Sequence, residues 1–288
     1  MPELPEVTAL ADFLNRRAAG LAVARVDPAA FYAMKTFDPP ASALSGLTVV
    51  GAGHRGKFVT VDLGTVHLIF HLAKSGWLQW RDDLPTTPPR LGRGPLALRV
   101  RLENNSGWDL TEASTEKRLA VYIVADPEQV PGIAKLGPEP LDPAFDVAAL
   151  AGIVAGRRKQ LKGLLTEQTT IAGIGNAYSD EILHMAKLSP FKLADTLTAE
   201  ETERLHAAII AILTEAIDRS IGQEAATLKE EKRSGMRVHR RTGEACPVCG
   251  DTIREVSFAS SALQYCPTCQ TGGVPLADRR LSKFGIRD

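Results

Sequence analysis

Four cysteines carry the most specific chemistry in this 288-residue chain. They stand as Cys246-Pro-Val-Cys249 and Cys266-Pro-Thr-Cys269, a C-x2-C-x16-C-x2-C spacing confined to residues 246–269. Each C-x2-C knuckle turns two thiolates to one side. Two knuckles complete a tetrahedral set that suits zinc and leaves no position open to a substrate. The spacing predicts one structural zinc ion per chain, with a β-hairpin over 251–265 between the knuckles. Clustered in this way, the cysteines read as a metal site and not as a disulfide framework.

The opposite end offers a different reactive group. The chain opens Met1-Pro-Glu-Leu-Pro-Glu-Val-Thr8, and removal of Met1 would leave Pro2 as a terminal secondary amine with Glu3 beside it. A free α-amino group has a pKa of about 8 against about 10.4 for a lysine, so roughly a tenth of it is neutral near pH 7. Attack of such an amine on a sugar C1′ gives an iminium, which stays cationic and acts as an electron sink for elimination. Glu3 could supply the proton that opens the sugar ring. The same residues also serve a plain helix start, with Pro5 in the first turn and Pro2 stiffening the entry.

Between the two ends lie weaker signals. His54-Arg-Gly-Lys57-Phe-Val places a lysine where a turn enters a strand; alone, it reads as a solvated edge charge. His71-Leu-Ala-Lys74-Ser-Gly76 contains a histidine that reads as a packed strand residue. Thr111-Glu-Ala-Ser-Thr-Glu-Lys-Arg-Leu-Ala120 reads as a charged β-hairpin tip. Gly173-Ile-Gly-Asn176 opens a helix whose free backbone N–H groups suit a phosphate, although a tight turn between helices needs the same residues.

These groups need scaffolds. An apolar stripe at Val7, Leu10 and Leu14 predicts a helix over 5–19. Short β-type runs follow at Leu21–Val26, Thr48–Gly51, Phe58–Leu63, His67–Leu72, Leu96–Leu102 and Leu119–Val124, a spacing that suggests a β-sandwich. A Pro- and Gly-rich loop fills Pro85–Pro95. Pro131–Pro143 reads as a linker. Helical patterns then take over at Val147–Ala155, Gln160–Gln168, from Asn176, and behind a capping box at Thr198-Ala-Glu-Glu201, with Leu205, Ile209, Ile212, Ala216 and Ile217 on one face. Ile221–Arg237 is mixed in charge and reads as a solvated connector. The expected architecture is α+β and multidomain: a β-sandwich over 1–130, a linker over 131–145, a helical domain over 146–235, a zinc hairpin over 236–270 and a basic tail over 271–288 containing Arg279, Arg280, Lys283 and Arg287. Lysine plus arginine equal aspartate plus glutamate at 34 each, so any binding of nucleic acid must rest on local basic groups. No apolar run reaches the length of a membrane span and no leader precedes the helix. A monomeric cytoplasmic protein, located with the chromosome and not in a membrane, is the expectation.

Pro-Glu-Leu-Pro-Glu-Val-Thr at the start, the Arg-Gly-Lys turn, Gly-x-Gly-Asn and the two C-x2-C pairs together resemble the formamidopyrimidine-DNA glycosylase and endonuclease VIII family of base-excision repair enzymes. The resemblance covers nearly the whole chain. It implies a bifunctional DNA glycosylase and abasic-site lyase acting on double-stranded DNA with a damaged base or an abasic site, with Pro2 as nucleophile, Glu3 as acid and Lys57 assisting strand cleavage. It makes the helical domain a helix–two-turn–helix module in which Lys162 and Asn176 grip the DNA backbone. His71, Lys74, Lys117, Arg118 and Leu119 fall on DNA-contacting segments, with Leu119 as an apolar wedge. The sequence departs from the family pattern at two places: Lys74 stands where a methionine is usual, and Ser261 stands where the hairpin tip carries an arginine. These departures support an alternative, a weakly catalytic relative that binds abasic, gapped or damaged DNA.

Overall fold

The computed structural model describes residues 1–92, 94–258 and 261–277. Helix α1 (Leu4–Ala18) is followed by strands β1 (Val23–Pro28), β2 (Gly51–Arg55), β3 (Phe58–Asp62), β4 (His67–His71), β5 (Gly76–Arg81), β6 (Leu96–Leu102), β7 (Gly107–Glu112) and β8 (Ala120–Val124). Helices α2 (Val147–Val154), α3 (Leu161–Thr166), α4 (Asn176–Met185), α5 (Ala199–Ser220) and α6 (Leu228–Ser234) come next. A hairpin of β9 (Arg254–Ser257) and β10 (Ala262–Tyr265) then leads to α7 (Pro267–Thr271). Arg279, Arg280, Lys283 and Arg287 lie outside the described residues.

Strands β1 to β8 form two antiparallel sheets, ordered β1-β6-β7-β5 and β2-β3-β4-β8. In the second sheet Val59 pairs with Phe70 and Val61 with Leu68, and the alternating burial along β3 points these side chains inward. They share one core with Leu78, Leu98, Val100, Trp108 and Leu110 of the first sheet, and with Leu10, Phe13 and Leu14 of α1. This is the sandwich expected from the spacing, and α1 is fastened onto it so that the chain's first residues are held against the strands.

Two strands escaped the sequence reading. In β7, Asp109 and Glu112 interrupt the apolar alternation, yet both are buried. Asp109 is satisfied by the cross-strand Arg99, which donates from Nε at 2.7 Å and from its terminal nitrogen at 2.8 Å. Strand β5 begins at Gly76, where an added Cβ would lie 2.2 Å from the Leu72 carbonyl oxygen. The strand expected at Thr48–Gly51 instead runs from Gly51: Thr48 forms only an isolated bridge to Ala22, the Val49 N–H goes to the Leu21 carbonyl, and Asn15 of α1 takes both the N–H and the C=O of Ala52. The segment after β7 is not a hairpin tip: β7 and β8 belong to different sheets, so 113–119 crosses between them.

The chain divides into two compact units. One comprises Met1–Leu136 with Ile217–Lys232, and the other Gly137–Ala216 with the chain from Arg233 onward. The connector reading of Ile221–Arg237 therefore fails for its first part. Ala225 and Leu228 are buried in the sandwich core, the Trp77 indole donates to the Ala225 carbonyl at 2.9 Å, and the Lys229 ammonium lies 4.5 Å from the Trp77 ring centre. Two apolar residues three positions apart are enough to dock one helical turn, but inside so charged a segment they give no periodic signal.

The second unit holds α2 to α4, most of α5 and the cysteine hairpin. Asp146 caps α2 by accepting the Ala149 N–H at 2.7 Å. Thr198 and Glu201 cap α5 reciprocally, at 3.2 and 2.9 Å, as the capping box predicts. Among the described residues, no helix is long and apolar enough to cross a membrane.

Candidate active site

Pro2 and Glu3 are both buried, at the mouth of α1. Glu3 is only 2% exposed, and its backbone N–H donates to Glu6 Oε2 at 2.8 Å. With Met1 in place the Pro2 nitrogen is an amide. Lys57 occupies the two-residue turn closed by the Arg55–Phe58 pair, where Gly56 takes a φ of 52°. It is 5% exposed, and burial lowers its pKa, while the charges of Glu3 and Glu6 act in the opposite direction. On the neighbouring strand the His71 ring stands 4.9 Å from the Phe58 ring, and its Nδ1 accepts the Ala73 N–H at 3.3 Å. Burial, with Lys57 as a second cause, pushes His71 down to about 4, so it is neutral at pH 7. A fourth charged group completes the cluster. Lys232 Nζ lies 2.7 Å from Glu6 Oε2 and 3.4 Å from Glu3 Oε1. Glu6 and Lys232 were not singled out from the sequence, since a lysine in the run Lys229-Glu-Glu-Lys-Arg233 gives no signal of burial.

The remaining sandwich residues separate. Lys74 is exposed in the β4–β5 turn beside Ala73, whose φ is 50°. Ser75 Oγ donates to Ser114 Oγ at 2.6 Å, which ties this turn to the 113–119 crossing. There the Lys117 ammonium donates to the Glu112 carbonyl at 2.6 Å, and Arg118 pairs with Glu116. Leu119, expected as an apolar wedge, is fully buried in the sandwich core. The Glu112 carboxylate draws it in by accepting the Arg118 and Leu119 N–H groups at 3.0 and 3.2 Å.

In the second unit, Asn176 begins α4 and donates from Nδ2 to the Ala262 carbonyl at 2.9 Å, joining the helix to the hairpin. Lys162 donates at 2.6 Å both to the Asn176 carbonyl and to Asp180 Oδ1. The other Asp180 oxygen meets His239 Nδ1 at 2.7 Å. The neighbouring Glu181 accepts the N–H groups of Arg237, Val238 and His239. Asp180 and Glu181 thus anchor the turn at 237–239 that leads into the cysteine hairpin, a role that their sequence context did not suggest. Ser261 is exposed and accepts the Phe258 N–H through its carbonyl at 2.8 Å.

The cysteine sulfurs all lie within 4.8 Å of one another, with Cys246–Cys269 at 3.9 Å and Cys249–Cys266 at 3.3 Å. Four thiolates about 2.3 Å from a central zinc ion would sit about 3.8 Å apart, so the set fits that ion. Gly250, at a φ of 79°, lets the first knuckle close, and the N–H groups of Val248 and Cys269 approach the Cys246 and Cys266 sulfurs at 3.5 Å. His184 Nε2 stands 3.2 Å from the Cys246 sulfur.

Similarity to known proteins agrees with this arrangement. The Formamidopyrimidine-DNA glycosylase N-terminal domain matches residues 1–118, the Formamidopyrimidine-DNA glycosylase H2TH domain residues 136–227, and the zinc finger found in FPG and IleRS residues 243–272. An uncharacterized formamidopyrimidine-DNA glycosylase-like protein of Mycobacterium tuberculosis is 60% identical over 149 residues, which cover 52% of this chain and 93% of that protein. The formamidopyrimidine-DNA glycosylase of Symbiobacterium thermophilum is 35% identical, over 97% of this chain and 93% of its own. Lactococcus lactis Fpg, solved in complex with DNA containing an abasic site, superposes with a TM-score of 0.81 at 27% identity, covering 93% of this chain and 99% of that one. The same enzyme with an N7-benzyl-Fapy-dG containing DNA gives a TM-score of 0.82 over 94% and 100% of the two chains. With its sandwich, helical module and four-cysteine hairpin matched in order along the chain, the protein belongs to the formamidopyrimidine-DNA glycosylase family.

Proposed function

We propose that the protein removes damaged bases from double-stranded DNA and cleaves the abasic site by β,δ-elimination through a Schiff base on Pro2. The observation that carries this reading is the burial of Pro2 and Glu3 together at the start of α1, in one charged cluster with Lys57. After removal of Met1, the Pro2 nitrogen forms a bond to C1′ and the base departs with the glycosidic electron pair. Reaching C1′ requires the damaged nucleotide to leave the stack. The proton that leaves the nitrogen passes to Glu3 and from there to the sugar ring oxygen, as the ring opens to the iminium. Loss of a C2′ proton then expels the 3′ phosphate, and a second elimination expels the 5′ phosphate. The lowered pKa of Lys57 suits a group that exchanges protons beside these phosphates.

On this reading His71, Lys74, Lys117, Arg118, Lys162, Asn176 and Ser261 make up the DNA-contacting set. Cys246, Cys249, Cys266 and Cys269 would hold one zinc ion that stiffens the hairpin and takes no part in the reaction. Borohydride reduction on an abasic-site duplex should trap a covalent adduct that maps to Pro2, and mass spectrometry should show Met1 absent. An adduct on a lysine, or retained Met1, would sink the mechanism. The second reading, a weakly catalytic protein that binds abasic, gapped or damaged DNA, draws on the uncharged Ser261 at the exposed hairpin tip. It expects tight binding with no trapped adduct.

A further inference from the structure

Glu3 faces charge from several elements. Glu6 lies on its own helix, Lys57 comes from the β2–β3 turn, and Lys232 comes from α6, with His71 of β4 behind Lys57. Lys232 reaches this place across 229 positions of sequence. Leu228, one turn earlier in α6, is fully buried in the sandwich core and brings the helix in. The Lys232 side chain is 16% exposed, against 3% and 1% for the side chains of Glu3 and Glu6. Two carboxylates thus meet two ammonium groups in a nearly dry pocket. Burial works against the Lys232 ammonium, but Glu3 and Glu6 together outweigh it and raise its pKa, so the charge persists at neutral pH. No step assigned to Pro2, Glu3 or Lys57 uses it.

We infer that Lys232 is a positioning residue, holding the Glu3 side chain ionised and aimed so that it can take the Pro2 proton before passing it to the sugar oxygen. This rests on the reading of Pro2 as nucleophile and Glu3 as acid. The active state then carries one shared proton, on the Pro2 nitrogen before attack and on Glu3 after it. Lys232 keeps its own proton throughout. An opposite charge within about 4 Å favours the ionised carboxylate, whereas burial alone favours the neutral acid. Without the ammonium, the Glu3 acid would form at higher pH. The Pro2 ammonium, no longer repelled, would also lose its proton at higher pH. Attack needs the neutral amine beside the ionised carboxylate, so the rise of rate with pH should move in the alkaline direction.

The test is single-turnover cleavage of an abasic-site duplex across pH for the native protein, Lys232→Gln, Lys232→Met and Lys232→Arg. Borohydride trapping and tryptophan fluorescence accompany each. Fluorescence reports folding of this unit, because Trp77, Trp80 and Trp108 all lie in it. The expected result is a profile displaced upward by about one pH unit or more in the Gln and Met variants. On the rising side of the profile, each unit by which either group is displaced lowers the rate about tenfold. Lys232→Arg should restore the native profile. A folded Gln or Met variant with an unmoved profile overturns the inference. So does failure of both neutral variants to fold while the Arg variant behaves as native, since Lys232 would then serve the fold alone. If the native protein itself gives no Pro2 adduct, the parent reading fails first, whatever the variants do.

Discussion

Lys162 and Asp180 form an ion pair of 2.6 Å in which the aspartate side chain is fully buried and the lysine 12% exposed. The pair joins α3 to α4, and His239 on the other carboxylate oxygen extends it to the turn that precedes the cysteine hairpin. Lys162 is thus already engaged within the protein, and any grip on DNA would use a side chain that this pair aims.

Breaking such a pair from one side leaves a buried charge without compensation, which costs about 3–5 kcal/mol. Asp180→Asn should destabilise the second unit by about 3 kcal/mol, read as a lower melting midpoint in far-ultraviolet circular dichroism. The tryptophan midpoint should not move, because all three tryptophans lie in the first unit. A shared drop in both signals would show that the two units unfold as one.

His71 gives the first unit an acid sensitivity of predictable sign. Unfolded, its pKa is about 6.5; folded, burial and Lys57 hold it near about 4. Between these values only the unfolded chain takes up the proton, so stability is intact above about pH 6.5 and declines as pH falls toward 4, by about 3 kcal/mol in all. His71→Gln removes this contribution. Urea unfolding followed by tryptophan fluorescence should show the stability gap between native protein and variant narrowing by about that amount from pH 7.5 to 4. A gap independent of pH would mean that His71 charges in the folded state.

Metal analysis should find about one zinc ion per chain, the capacity of one four-cysteine set. Cys249→Ser, or treatment with a strong chelator, should loosen the hairpin and weaken DNA binding while the tryptophan signal of the sandwich is retained. The Asn176–Ala262 hydrogen bond couples the hairpin to the start of α4, so DNA contacts assigned to Asn176 should weaken with it. DNA affinity that survives complete zinc removal would exclude the hairpin from the binding surface.

Ser261 supplies no charge at the hairpin tip. Ser261→Arg should tighten binding to an abasic-site duplex and steepen its dependence on salt by close to about 0.9 in logarithmic slope, the increment for one neutralised phosphate on duplex DNA. Cleavage should accelerate only if placement of the nucleotide limits the rate. Affinity measured at several salt concentrations, with single-turnover cleavage alongside, checks both. An unchanged slope would mean that the tip does not reach a phosphate.

Local chemistry was legible in the order of residues. The cysteine spacing, the Pro2–Glu3 opening, the capping box at Thr198 and Glu201 and the alternation along β3 each act within a few positions, so a linear reading captures them. Strand β7 was not legible, because Asp109 and Glu112 are satisfied by Arg99 and by the backbone of 118–119, partners that only the folded sheets supply. For the same reason Leu119, an apolar wedge by resemblance, lies in the core in structure. Lys232 is the extreme case: nothing within the run 229–233 distinguishes it from a solvated lysine. What sets it apart is the docking of Leu228 and Ala225 into a core built by residues far earlier in the chain. Desolvation and the fields of Glu3 and Glu6 act through space, and only the tertiary structure decides which charges they act on.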